Sequence, residues 1–280
     1  RLTTIGKNGK AVTKYTSDRL NVLFAKLRSK SASALGIFIT AGDPDFDTSL
    51  KIMEGLPEEG ADMIEFGMPF SDPMADGPAI QASSKRALEA GGSLKKTLDM
   101  VRLFREKNNF TPIILMGYYN PIYNFGVQKF LTEVIKAGAD GLIVVDLPPE
   151  EDEELCIPAK ECNLPFVRLT APTTSNQRLT TVLQNATGFI YYVSITGITG
   201  TKDVPVELVT HAVENLKEHS NLPIAVGFGI KTRKHVEQVT RIADAAIVGS
   251  EVVNAIANSL DADGKAKPET IQTTLSLVRD

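Results

Sequence analysis

The sequence predicts a closed α/β barrel, a single (β/α)8 or TIM barrel, on three observations. Eight short runs are almost continuously apolar and rich in β-branched residues, as parallel strands covered on both faces require. Amphipathic segments of helical period lie between them. No break in composition and no Ser/Gly linker interrupts the series across 280 residues, which favours one closed domain over two. A doubly wound open sheet would carry a glycine-rich phosphate turn after its first strand, and "TAGDPDFD" (40–47) is not that fingerprint.

The elements follow in order. Residues 1–16 form a polar extension without a starting Met, read as a processed or added end. "TSDRLNVLFAKLR" (16–28) predicts an extra N-terminal helix before the first strand, with Ser17 or Asp18 as its cap. Strands are predicted at 36–40, 62–66, 112–116, 141–145, 165–169, 188–194, 223–227 and 245–249. Helical periodicity marks 48–60, 94–107, 127–137, 175–185, 205–219 and 232–242, and 261–280 reads as a C-terminal helix or tail. The acidic run "PPEEDEEL" (148–155) reads as a solvated first helical turn placed well for the helix dipole. Two intervals are long. The one after strand 2 holds "PAIQASSKRALEAGG" (78–92), an added helix, and the one after strand 6 holds "ITGITGTKDVP" (195–205). Both insertions follow the carboxyl end of a strand, the face on which barrel enzymes carry their chemistry.

Composition removes several function classes. A net charge of −4 leaves no basic footprint for nucleic acid. No apolar run approaches the length of a membrane helix, and the polar N-terminus lacks the apolar core of a signal peptide. Cys156 and Cys162 match no zinc or redox spacing and read as reduced cytoplasmic thiols. His211, His219 and His235 lie in no motif with a carboxylate or cysteine, so no metal site is expected. No predicted strand carries a lysine for Schiff-base aldol chemistry.

Two loops suggest a phosphate corner. "GFGIKT" (227–232) follows strand 7 and "GSEVVN" (249–254) follows strand 8, the adjacent loops on which barrels commonly hold phosphate. Gly229 and Gly249 let backbone approach an anion, Ser250 opens a helix, and Gly200 can add a donor. The competing reading is tight turns and an ordinary cap. The reactive candidates come from "IEFGMPFSDPMADGP" (64–78). Glu65 interrupts an apolar strand, where a carboxylate is costly unless paired or used, and desolvation there makes it a proton donor near neutrality. Asp76 sits in a Pro/Gly-bounded loop able to fold over the same mouth. A salt-bridged Glu65 is the alternative, and "SDP" around Asp72 is also a good turn sequence. Of Tyr191 and Tyr192, and of Tyr118 and Tyr119, alternation lets only one of each pair point inward.

"PFSDPMADGPAIQ" (69–81) with Glu65 before it, "GITG" (197–200), "GFGI" (227–230) and "GS" (249–250) resemble the α subunit of tryptophan synthase, over about residues 17 to 260. The resemblance implies a barrel that cleaves indole-3-glycerol phosphate to indole and glyceraldehyde 3-phosphate. It implies no cofactor in this chain and a pyridoxal-phosphate β subunit as partner in an α2β2 heterotetramer. Carried over residue by residue, Glu65 is the acid/base, Asp76 holds the ring N–H, and Tyr191 helps position Glu65. Phe38, Met116, Tyr118, Leu169 and Phe228 line the indole pocket, and Thr199 closes over Asp76. Gly200, Gly229, Gly249 and Ser250 bind phosphate, and Asp72 and Pro73 face the β subunit. A free-standing lyase and a mainly regulatory ligand-binding subunit are the alternatives.

Overall fold

In the computed structural model, eight apolar runs form parallel strands: β1 Ala34–Thr40, β2 Met63–Gly67, β3 Ile113–Gly117, β4 Gly141–Val144, β5 Phe166–Thr170, β6 Ile190–Val193, β7 Ile224–Gly227 and β8 Ala245–Val248. The structure describes residues 3–5, 11–194, 206–227 and 229–280. Each strand pairs with the next, and β8 closes on β1 through Ala245 opposite Ala34 and Val248 opposite Ile37. The predicted fold class is the observed one. Four strands begin one residue later than expected, and for β3, β5 and β7 the reason is that Pro112, Pro165 and Pro223 have no N–H to give the ladder. Each instead accepts at its carbonyl, from Ile64, Leu142 and Ile190 of the neighbouring strand at 2.9 Å.

The period of two sorts the side chains. Met63, Ile114, Ile143, Val167, Tyr191, Ala225 and Ile247 fill the barrel interior. Tyr192, Ile190 and Val226 belong instead to the layer between strands and helices, so Tyr191 is the inward member of its pair. The expected N-terminal helix spans Arg19–Ser29, and its Leu20 and Phe24 join the interior cluster, with Phe24 6.1 Å from Phe189 ring to ring. The amino end of the barrel is thereby stoppered. Its cap differs from expectation. Asp18 occupies the N-cap but makes no capping bond, because its carboxylate accepts from Asn21 Nδ2 at 2.7 Å. Ser17 Oγ instead accepts from Arg19 Nη1 at 2.8 Å.

The same end holds a buried hub. Asp140, just before β4, is fully buried. It accepts hydrogen bonds from Tyr15 Oη at 2.7 Å, Arg19 Nη1 at 2.8 Å, Arg105 Nη2 at 2.6 Å and the Ile113 amide at 2.8 Å.

Helices Leu94–Lys107 and Val127–Ala137 fall where periodicity placed them, the first capped by Ser93 Oγ. Helices Phe46–Gly55, Asn176–Leu183, Val206–His219 and Arg233–Thr240 are trimmed or shifted versions of the predicted segments. The strand 2 insertion forms helix Pro78–Glu89, with Pro78 in the first turn, and the C-terminal segment holds helix Thr270–Arg279. Two short helices, Tyr119–Phe125 and Cys156–Glu161, were not predicted. Within the polar extension, Thr3–Ile5 pairs antiparallel with Ala11–Thr13.

The acidic run is not wholly solvated. It forms a short 3-10 turn, Pro149–Glu151. Exposed Glu150 pairs with Arg178, but Asp152 is buried against Arg168 and accepts from Asn185 Nδ2 at 2.7 Å. Among the described residues, no helix is long and apolar enough to cross a membrane and no cluster of three His, Cys, Asp or Glu side chains could hold a metal.

Candidate active site

Glu65 lies in the middle of β2, opposite Phe38 on β1 and Ile114 on β3. It follows Met63 by two residues, so it shares the inward face, near the carboxyl end of the barrel. The side chain is 3 % exposed, and neither carboxylate oxygen has a hydrogen-bond partner among the described residues. The buried salt bridge that was the alternative reading does not form among the described residues. Burial is the main force on its pKa and the nearby Asp76 charge adds to it, pushing the group up to about 8 from 4.5. The Tyr191 hydroxyl pulls the other way. It lies close enough to act on the charge, yet the pair does not meet the geometry of a formed hydrogen bond, so the opposing pull is weak. Tyr191 is itself held protonated, first by burial and then by Glu65. Its hydroxyl rests against Gly227, where any Cβ would collide with it. A glycine in β7 is therefore what lets the tyrosine reach across the barrel.

Asp76 hangs over the mouth from the loop between β2 and helix Pro78–Glu89, and that loop is pinned at several points. Ser84 Oγ accepts from the Phe70 amide at 2.8 Å and donates to the Phe70 carbonyl at 2.9 Å. Gln81 Nε2 donates to the Asp76 carbonyl at 2.9 Å. Tyr118 Oη donates to Asp76 Oδ2 and accepts from the Ala75 amide, both at 3.0 Å. Burial raises the Asp76 pKa while the Tyr118 hydrogen bond lowers it. The helix itself is fastened to the barrel through Thr40 and Ser83, whose hydroxyls lie 2.6 Å apart, and through Arg86, paired bidentately with buried Asp43 at 2.8 Å.

A narrow cavity opens between Phe38, Gly67, Asp76, Met116, Tyr118 and Val145. It joins four of the sequence candidates. Leu169 lies on the inward face of β5 but not on this wall. Of the phosphate candidates, Gly249 adjoins it through Phe38. A Cβ on Gly249 would come within 3.3 Å of Phe38 Cβ. Gly229 has φ +78°, a left-handed conformation that favours glycine. Ser250 is the first residue of helix Ser250–Asn258, with Gly249 at the N-cap and no side-chain cap. The ordinary-cap reading of Ser250 therefore does not hold, and its hydroxyl and the first-turn amides are available to an anion. Asp72 is exposed at the loop tip beside Met74, which is 84 % exposed, while Pro73 is half-buried. Thr199, Gly200, Phe228 and the expected closing segment 197–204 lie outside the described residues.

Thr40, Ser84 and Gln81 escaped the sequence reading. Ser84 and Gln81 bond the backbone of the loop, and Thr40 of β1 bonds Ser83 of the helix, contacts that a polar residue in a strand or helix does not signal in the sequence.

A parallel barrel with a high-pKa carboxyl beneath its open end, unpaired among the described residues, and a second carboxylate above it is a barrel enzyme of proton-transfer chemistry. The comparisons refine that class. The family model described as tryptophan synthase alpha chain matches residues 24–277. The fold is similar to tryptophan synthase subunit alpha from Legionella pneumophila, 38% identical, with 94% of this chain and 97% of that one covered and a TM-score of 0.85. It is also similar to the tryptophan synthase α-subunit of Pyrococcus furiosus, 36% identical over 88% and 97% with a TM-score of 0.78. Tryptophan synthase from Mycobacterium tuberculosis, in its aminoacrylate-bound form, is 30% identical over 94% and 99% with a TM-score of 0.80. The chain belongs to the tryptophan synthase alpha chain family. It is a carbon–carbon lyase that cleaves indole-3-glycerol phosphate to indole and glyceraldehyde 3-phosphate.

Proposed function

We propose that Glu65 is the acid and base of this cleavage, that Asp76 binds and stabilises the ring, and that Tyr191 positions Glu65. The observation that carries the assignment is a carboxyl buried at the mouth, without a hydrogen-bond partner among the described residues and with its pKa raised by burial to about 8. A carboxylic acid at neutral pH delivers a proton to C3 of the indole ring. The ring becomes an indolenine cation, its N–H held by Asp76. The bond from C3 to the glyceryl carbon then breaks, and its electron pair flows into the cationic ring. The Glu65 carboxylate takes the proton from the glyceryl hydroxyl as the aldehyde forms, which restores the acid. The ring is the electron sink, so no lysine, metal or cofactor of this chain enters the scheme.

Phe38, Met116, Tyr118 and Leu169 enclose the ring, joined by Phe228. Gly229, Gly249 and Ser250, with Gly200, hold the phosphate through backbone amides, the Ser250 hydroxyl and the helix dipole, and Thr199 closes over Asp76. The chain works as one domain in the cytoplasm and passes indole to a pyridoxal-phosphate β subunit in an α2β2 assembly, the contact running through Asp72 and Pro73. The exposed tip at Asp72 and Met74, on the same loop as Asp76, supports that surface. Indole release by this chain, measured alone and then with β subunit, tests the reading. Slow release that accelerates with the partner is expected. Fast release alone identifies a free-standing lyase, and no release in either case overturns the assignment.

A further inference from the structure

Tyr118 does more than line a pocket. It leaves the carboxyl end of β3 as the residue before helix Tyr119–Phe125, and its ring lies 5.1 Å from that of Phe70, tilted by 32°. The side chain thus spans from one strand end to both halves of the loop after β2. At one end of that loop it stacks on Phe70. At the other, its hydroxyl is used twice, accepting from the Ala75 amide and donating to Asp76 Oδ2, both at 3.0 Å. The two bonds fix the backbone before Asp76 and the carboxylate itself. Only Oδ2 is engaged. Oδ1 takes no hydrogen bond from a described residue and is left as the acceptor for a ring N–H.

From this geometry we propose that Tyr118 is the positioning residue for Asp76: it holds the carboxylate by Oδ2, in place and ionised, so that Oδ1 meets the substrate. The proposal rests on the reading of Asp76 given above. Tyr119, the neighbour that sequence alone could not separate from Tyr118, is turned away. Its hydroxyl donates to Glu154 at 2.6 Å and its amide to Asp146 at 2.8 Å.

The charged neighbourhood fixes the sign of the pH effect. The Asp76 charge acts on Glu65 of β2, and Asp146 after β4 acts on Tyr118. Neither Glu65 nor Asp146 donates to Asp76, and the donor is Tyr118 itself. Removing that donor therefore raises the Asp76 pKa. Catalysis needs Asp76 ionised, so the acid limb of the kcat/KM profile moves to higher pH.

The experiment is the pH–rate profile of Tyr118→Phe, which keeps the stack on Phe70 and loses only the hydroxyl. The expected result is a fall in kcat of about tenfold, the scale of one hydrogen bond to a charged group, with the acid limb displaced upward. An acid limb that stays in place, whatever happens to KM, makes Tyr118 a pocket wall and overturns the proposal. Incorporating 3-fluorotyrosine at position 118 strengthens the donor while keeping shape and hydroxyl. It must move the acid limb the other way, and a limb that does not move overturns the proposal even if the phenylalanine variant is unstable. Asp76→Asn, assayed in parallel, separates the two ideas. If it keeps turnover, the role of Asp76 fails and the present proposal with it. If it loses turnover while Tyr118→Phe leaves the acid limb unmoved, only the present proposal fails.

Discussion

Asp140 and Glu65 are both carboxylates sunk into one barrel, at 0 % and 3 % exposure, and their surroundings are opposites. Asp140, at the amino end, takes hydrogen bonds from two arginines, a tyrosine and a backbone amide. Glu65, toward the carboxyl end, has none from the described residues. The first sits in a network whose partners match its charge, and it ties the N-terminal helix, helix Leu94–Lys107 and β3 together. The second is held where its charge is unwelcome, and it carries a proton that other glutamates have lost at neutral pH. Burial alone does not separate a structural acid from a reactive one. The supply of donors does.

The largest expected effect comes from Glu65→Gln, which keeps the shape and removes the proton. Turnover should fall by roughly a thousandfold or more, within the range for losing a general acid, while binding of a non-cleavable indole phosphate analogue is retained. Retained turnover would place Glu65 with Asp140 as a structural acid. The same variant also has a stability signature. The native Glu65 keeps its proton to about pH 8, whereas the unfolded side chain releases it near 4.5. Its favourable contribution is therefore complete below pH 4.5 and is lost as pH rises through 8. The unfolding free energy of wild type, read from urea titrations, should decline relative to Glu65→Gln across that window by on the order of a few kcal/mol. Parallel curves would mean that the site holds no raised acid.

The mirror experiment is Asp140→Asn, which leaves Arg19 and Arg105 facing a neutral group. A loss of about 3 kcal/mol in urea unfolding is expected, near the lower end for breaking a buried pair, with kcat close to wild type at low temperature. A large kcat loss in a folded variant would blur the distinction between the two ends. The smallest effect should be that of Tyr15→Phe, which deletes one of several donors to Asp140. It should cost about 1 to 2 kcal/mol and leave the pH–rate profile unmoved.

Much of this was legible in the residue order. Continuous apolar runs separated by amphipathic ones dictate a parallel barrel, and Glu65 was conspicuous because its neighbours Ile64 and Phe66 belong in a core. The hub at Asp140 was not legible, since its partners at 15, 19, 105 and 113 meet only through the closed sheet. The short helices Tyr119–Phe125 and Cys156–Glu161 were missed, and each carries a proline, Pro121 or Pro158, in its first turn, where proline is tolerated. The Asp18 cap failed because a nearby asparagine offered its side chain a different partner. Tyr118 was expected on the pocket wall by resemblance, but the hold of its hydroxyl on Asp76 depends on how a loop folds back across 42 residues of sequence.

The three prolines ahead of β3, β5 and β7 bear on something other than where those strands begin. In a parallel barrel, sliding a strand by two residues leaves every side chain on its proper face, so the apolar pattern alone cannot choose between such registers. A residue without an N–H can: moving Pro112, Pro165 or Pro223 up into the ladder would cost a bond at each slip. Each blocks the slip that would carry its strand further into the ladder. The Pro112 carbonyl receives the Ile64 amide, and Ile64 is the residue before Glu65. The depth at which the acid sits below the mouth is thus set from the next strand, by a residue that never approaches the substrate.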